Sequence, residues 1–207
     1  RARQPQRDRL QAATLIGSMG QSSLENVRWH WYTSSEYAGN GVPRVRNIAQ
    51  FLGRVAWHAP AIAQRLMPDV VIASSTYPMD IWVAARLAQQ AKRRGARGLL
   101  VHEVHDLWPL SPIELGGMSP SHPFIRLCQA GEDWACRHAD RVVSMLPNVA
   151  EHLRAHGLPE GRLSIVSNGV SPDDWRPDHT QPLRADVAQQ LAALRATGQC
   201  VVGYAGS

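Results

Sequence analysis

The sequence predicts an α/β fold, a doubly wound sheet of mainly parallel strands with helices on its faces, and two observations carry that expectation. Short apolar runs are followed again and again by longer amphipathic segments, the pattern of strand–helix–strand crossovers on a parallel sheet. The composition, 44% hydrophobic and 19% charged over 207 residues, is that of an ordinary globular domain and gives ample material for a core. A disordered or fibrous chain is thereby set aside.

Taken in order, residues 12–17 read as a strand, and residues 27–33 (VRWHWYT) alternate like a strand with one exposed face. Residues 43–59 read as a helix. PDVVIAS at 68–74 is a buried-strand candidate, followed by a helix at 79–94, and GLLVHEV at 98–104 is the next strand. A long loop then leads to a helix from about 120 to 138. RVVSML at 141–146 reads as a strand, 149–156 as a helix and LSIV at 163–166 as a strand. Gly157 suits a helix carboxyl cap, where positive φ is favoured. Residues 173–182 are polar and proline-rich, as a linker would be. Beyond them, Leu183, Val187, Leu191 and Leu194 fall at helical spacing within 183–196, and CVVGY at 200–204 starts a fresh strand running into Ala205-Gly206-Ser207. A strand followed by Gly-Ser is how a further βα unit opens, with glycine leaving room for a turn toward a phosphate. Two domains are therefore expected, 1–182 and 183–207, the second cut short.

Several function classes are narrowed by composition. No run approaches the roughly 18 apolar residues of a membrane-spanning helix. The first ten residues are polar and basic and do not read as a secretory signal, so a cytoplasmic location is the expectation. Cys128, Cys136 and Cys200 form no CxxC pair and read as reduced thiols. The formal charge of +5 favours an anionic partner, whether nucleotide diphosphate, lipid phosphate, membrane surface or nucleic acid. Arginines scattered along helices, without a basic stripe interleaved with aromatics, argue against nucleic acid.

The most polar strand end is HEVHDLWP at 102–109. Ligands of a parallel sheet sit beyond the carboxyl ends of its strands, so ionisable groups there can reach a substrate. Alternation puts His102 and Val104 on one face and Glu103 and His105 on the other. His102 reads as a core histidine, and His105, at the exit, as the functional one, with Glu103 and Asp106 as neighbours able to orient its ring. A metal is not expected here, because HEVH on a strand lacks the spacing that puts two ligands on one side. Asn168-Gly169 after the last strand, and Ser74-Ser75-Thr76 after PDVVIA, offer amides and hydroxyls at strand exits, and each serves equally as a turn or a helix cap.

Together, EVHDLWPLSPIELGG, GEDWACRHADRVVSMLPNVAEHLRAHGLPEGRLSIVSNGVSPDDW and VVGYAGS resemble glycosyltransferase family 4, the GT-B type with two Rossmann-like domains; YAGNGVPRVRN and PDVVIASSTYP are similar to its bacterial colanic acid and capsular polysaccharide enzymes. That subgroup often carries Arg where His105 stands, and its usual NGVD-x-x-x-F is here NGVS with Trp175. The resemblance implies the amino-terminal, acceptor-side half of a retaining glycosyltransferase, with a nucleoside diphosphate sugar as donor, a lipid-linked or saccharide acceptor, no metal and no cofactor. It implies His105 as the catalytic residue, Glu103, Asp106, Ser74, Ser75, Asn168 and Gly169 as substrate-binding residues, and Gly206 and Ser207 in the loop facing the donor diphosphate. A sugar-nucleotide epimerase on the same scaffold and a non-enzymatic anion-binding module are the alternatives. The helix at 43–59 adds one more expectation. Val45, Ile48, Ala49, Leu52, Val55 and Ala56 share a face suited to packing on the sheet, and Arg46, Asn47, Gln50, Arg54 and Trp57 gather opposite, where they suit either water or an anionic membrane surface.

Overall fold

A computed structural model describes residues 14–16, 19–24, 27–36, 41–74, 77–170, 172–176, 182–198, 200 and 202. The chain divides into two compact units, Arg1–Ser167 and Asn168–Ser207. The boundary expected at 182/183 falls inside the second of these.

The first unit opens with an antiparallel meander, β1 (Thr14–Ile16), β2 (Met19–Leu24) and β3 (Val27–Tyr32). The middle strand, MGQSSL, pairs Met19 with Tyr32 and Thr14 with Gln21. Its sequence carries no period-two apolar pattern, and the backbone ladders on both sides hold it as a strand where side-chain patterning gives no sign. Helix α1 (Val42–Leu66) follows, and then a parallel sheet in the order β4 (Val70–Ser74), β5 (Leu99–Val104), β6 (Arg141–Ser144), β7 (Leu163–Ile165). Helices α2 (Asp80–Lys92), α3 (Leu110–Glu114), α4 (Pro123–His138) and α5 (Ala150–Ala155) connect these strands. This is the α/β arrangement the sequence predicts. The strand order advances in one direction, and the reversal that a doubly wound sheet requires is not among the described strands. The loop expected before α4 contains α3, five residues that are too short for a periodic signal.

Alternation along the strands decides where the core lies. Val71 and Ala73 of β4, Leu100 and Val104 of β5 and Val142 of β6 are buried, and they pack with Ile81, Ala84 and Ala88 of α2, Ala135 and Cys136 of α4 and Leu153 of α5. Fully buried side chains such as Ile81 and Leu153 each contribute roughly 1.5–3 kcal/mol through removal of apolar surface from water. Cys128 and Cys136 lie in α4, buried, with thiols pushed up to about 12, first by burial and then by the nearby Glu132 charge. They stay protonated and packed, whereas Cys200, also expected to be packed, is exposed.

Helix α1 was expected to stop at 59, ahead of Pro60, yet it runs to Leu66. Proline lacks the N–H that the carbonyl four residues earlier needs. That carbonyl belongs to Ala56, and Arg86 Nε of α2 donates to it at 3.0 Å. The helix then packs along α2, with Ala59 and Ala63 fully buried, so its apolar face meets a helix instead of the sheet. The opposite face is not simply solvated either. Asn47 Nδ2 donates to Ser34 Oγ at 2.7 Å, Ser35 N donates to Gln50 Oε1 at 2.8 Å, and Arg54 bonds Thr33. These contacts hold residues 33–35 against the helix and leave Arg46 and Trp57, the latter 81% exposed, on the open surface.

Where α4 crosses the start of α2, the contact is backbone on backbone. Gly131 is buried, and a Cβ there would lie 2.8 Å from the Pro78 carbonyl and 3.0 Å from Met79 N. Neither group can yield as a flexible side chain would. Gly131→Ala should therefore destabilise the fold by about 1–3 kcal/mol, the scale of overpacking, read as a lower urea midpoint with an unchanged slope. An unchanged midpoint would show that the two helices can separate without loss.

In the second unit a short 3-10 helix (Pro172–Trp175) precedes α6 (Ala185–Ala196), with Arg176 paired to Asp173 at 2.8 Å and Arg184 bonded to Asp186 just ahead of and at the start of α6. The helix starts two residues later than expected, leaving Leu183 outside it and exposed. Of the strand expected at 200–204 only Cys200 and Val202 are described, and the strand, like Gly206 and Ser207, lies outside the described residues.

Candidate functional site

The parallel register places Ser74, the last residue of β4, beside Glu103 of β5. Alternation then brings His105, two residues on, to the same side. His105 Nε2 lies 3.0 Å from Ser74 Oγ and 3.3 Å from Glu103 Oε2, and the His105 and Glu103 side chains are each 36% exposed. Ser74 Oγ is the hydrogen-bond partner of Nε2, with donor and acceptor set by the ring tautomer, and the Glu103 carboxylate lies alongside within ion-pair distance. The cluster is thus an imidazole held by two neighbours, open to solvent at the carboxyl ends of two adjacent strands.

His102 behaves as the core residue expected. It is buried, and burial, followed by the proximity of His105, lowers its pKa to about 4. Its Nδ1 has no hydrogen-bond partner among the described residues. Neutrality is what such a site demands, because an imidazolium there would be a buried charge without compensation.

Asp106 departs from expectation. Its Oδ1 accepts from Leu107 N at 2.8 Å and from Ser111 Oγ at 2.6 Å, so the carboxylate secures the turn into α3 and does not orient the His105 ring. An aspartate directly before a helical turn satisfies the free amides there, and this local competition wins over a long-range contact. Ser75 lies outside the described residues. Asn168 and Gly169 are exposed and open the second unit.

Two grooves adjoin these strand ends. One, of about 480 Å³, runs between α1, β4 and α2 and is lined by Arg44, Phe51, Ser74 and Tyr77 among others. The other, of about 500 Å³, is lined by Arg44, Tyr77, Trp108, Met118, His122 and Phe124. Arg44 and Tyr77 belong to both, the guanidinium 5.5 Å from the ring centroid. Tyr77 and Trp108 meet edge to face at 5.2 Å, as do Trp108 and Phe124 at 6.1 Å, the geometry aromatic quadrupoles prefer. Sequence reasoning missed these residues because they come from four separated segments. A signal existed: Tyr77-Pro78 and Trp108-Pro109 are aromatic–proline pairs a few residues beyond the ends of β4 and β5.

With this geometry in hand, comparison with known proteins is decisive. Residues 20–169 match the family described as the Glycosyl transferase 4-like domain. The chain belongs to that family. It is also 31% identical over 107 residues to D-inositol 3-phosphate glycosyltransferase 2 of Catenulispora acidiphila, a match that covers 51% of this chain and 24% of that protein. The chain thus spans about a quarter of the relative's length. No solved structure matches. The glycosyl transferase 4-like region contains the β4–β5 cluster, both grooves, Asn168 and Gly169, and its GT-B, Rossmann-like class agrees with the parallel sheet and its helices.

Proposed function

We propose that the protein is a retaining glycosyltransferase that moves a sugar from a nucleoside diphosphate donor to a lipid-linked or saccharide acceptor in the synthesis of a cell-surface polysaccharide. The observation that carries this reading is the Ser74–His105–Glu103 cluster at the ends of β4 and β5, inside the region that matches the family. The His105 ring makes a hydrogen bond to the donor sugar and holds the anomeric carbon in place, and Glu103 and Ser74 fix the ring for that contact. Positioning of this kind lowers the barrier without a proton transfer by the imidazole. The negative charge that develops on the departing diphosphate calls for basic groups and helix amino termini, with no metal needed. Asn168 and Gly169, a few residues beyond β7 in the chain, are further substrate-binding residues in this proposal, and Gly206-Ser207 is the turn toward the diphosphate in a donor-side domain that starts at 183.

The acceptor is assigned to the grooves that share Arg44 and Tyr77. An arginine beside aromatic and aliphatic walls suits an acceptor whose phosphate sits next to an apolar chain or a sugar face. Exposed Trp57 and Arg46 on α1 are consistent with a peripheral position on an anionic membrane, the inner face of the plasma membrane being the surface in question. No described helix is long and apolar enough to cross one.

Incubating the complete protein with nucleoside diphosphate sugars, with and without a polyprenyl-linked acceptor, tests the reading. Release of free nucleoside diphosphate together with a glycosylated acceptor is expected. Conversion of the donor to its epimer in the absence of acceptor would replace the transferase by an epimerase.

A further inference from the structure

On the helical layer, α4 and α5 bring together a second set of ionisable groups that the transfer reaction does not use. Glu132 of α4 is a buried carboxylate, its side chain 4% exposed. His152 Nε2 of α5 lies 2.8 Å from Glu132 Oε1, and His156 Nε2, one helical turn on, lies 4.0 Å from Oε2. We propose that Glu132, His152 and His156 form a site for a divalent cation of the Zn²⁺ class that fastens α5 to α4.

The donor geometry supports this. One nitrogen from each histidine and one carboxylate oxygen all lie within 4.8 Å of one another. Tetrahedral Zn²⁺, with ligands at ~2.0–2.2 Å, separates its donor atoms by ~3.3–3.5 Å. The observed 2.8 and 4.0 Å bracket that spacing, and the two imidazole nitrogens lie within 4.8 Å of each other. His152 in α5 and His156 at its carboxyl cap, four residues apart, lie on one side of the helix end, as a pair of ligands requires.

The surrounding groups have the roles that outer partners take at metal sites. His156 Nδ1 lies 2.8 Å from Asp133 Oδ1. In the tautomer that donates from Nδ1 to Asp133, Nε2 keeps a lone pair on the Glu132 side. His152 Nε2 donates to Glu132 Oε1, and a cation entering between them displaces that proton. Gln129 Nε2 donates toward Glu132 Oε2 at 2.9 Å and Asp133 Oδ1 at 2.8 Å and also lies 3.0 Å from His156 Nδ1, which ties both carboxylates and the imidazole to one amide. His152 and His156 are 21% and 27% exposed, which gives a cation a path in and a water a fourth position. Two imidazoles with one carboxylate suit Zn²⁺ and discriminate against Mg²⁺, which prefers oxygen throughout. Helix α5 carries the chain from the carboxyl end of β6 back toward the start of β7, so His156 lies toward the sheet end opposite His105. The site is therefore independent of the proposed transfer chemistry.

Calorimetric titration of metal-stripped protein with ZnCl₂ tests the proposal. One equivalent should bind at micromolar concentration and raise the melting temperature, with MgCl₂ giving neither effect. Asp133→Asn should weaken binding by ~10–100-fold, and His152→Ala or His156→Ala by more, whereas His105→Ala leaves it unchanged. Failure of the wild-type protein to bind one equivalent, or undiminished binding in both His152→Ala and His156→Ala, would overturn the site. If either variant loses its fold, the visible spectrum of the Co²⁺-loaded wild-type protein decides. Bands of low-coordinate Co²⁺ with nitrogen ligands support the assignment, and the weak spectrum of the hydrated ion refutes it.

Discussion

In the complete protein, His105→Ala should lower turnover by about 10²-fold or more, the scale of losing one preorganised contact near the reacting centre. The side chain is 36% exposed and, among the described residues, is tied to Ser74 and Glu103, so its removal leaves the core intact and folding stability nearly unchanged. The loss should appear in kcat more than in KM, because a contact that aligns the anomeric carbon with the leaving diphosphate matters most in the transition state. Glu103→Gln keeps a hydrogen-bond acceptor beside Nε2 and should be milder. Near-wild-type turnover in a correctly folded His105→Ala variant would remove this residue from the site and shift attention to Asn168 and the Arg44–Tyr77 groove.

Stability should fall steeply between about pH 6.5 and pH 4, and His102 is the reason. Its folded pKa, about 4, lies below the ordinary histidine value near 6.5. The unfolded chain therefore binds more protons in that window, and the stability held by the neutral buried ring is complete above the upper value and lost as pH drops through the lower one. At about 1.4 kcal/mol per pKa unit the effect is on the order of 3 kcal/mol, a large share of an ordinary domain's stability. Urea midpoints measured at pH 7 and pH 4.5 for the wild type and for His102→Leu check this. The variant should lose distinctly less on acidification, and equal losses would place the acid sensitivity elsewhere. Asp133 contributes only at lower pH. Burial opposes its ionisation, but hydrogen bonds to Gln129 and His156 outweigh burial and lower its pKa, so its contribution persists down to the carboxylate range and is lost below it.

The parallel sheet was legible because each of its strands is a short apolar run bounded by polar turns, and burial on alternate positions of β4 and β5 follows directly from that pattern. The division between His102 and His105 was legible for the same reason, since period two alone assigns them to opposite faces. β2 was not, because MGQSSL owes its strand state to backbone pairing with both neighbours. Nor was the true end of α1. Proline is a reliable stop signal until a residue distant in sequence, here Arg86, supplies the missing donor. Asp106 was expected to orient His105, and the turn that its Oδ1 secures could be seen only once Ser111 was in place. The Glu132–His152–His156 cluster escaped notice because its members lie on two helices, 20 and 24 residues apart in sequence, and meet only through helix packing.

The stereochemistry of the product tests the central claim most directly. The complete protein would be given an α-linked nucleoside diphosphate sugar and a polyprenyl-linked acceptor, and the new glycosidic bond assigned by proton NMR. Retaining transfer predicts an α-linked product, formed together with one equivalent of nucleoside diphosphate. A β-linked product, or donor consumption with no glycosylated acceptor, would contradict it.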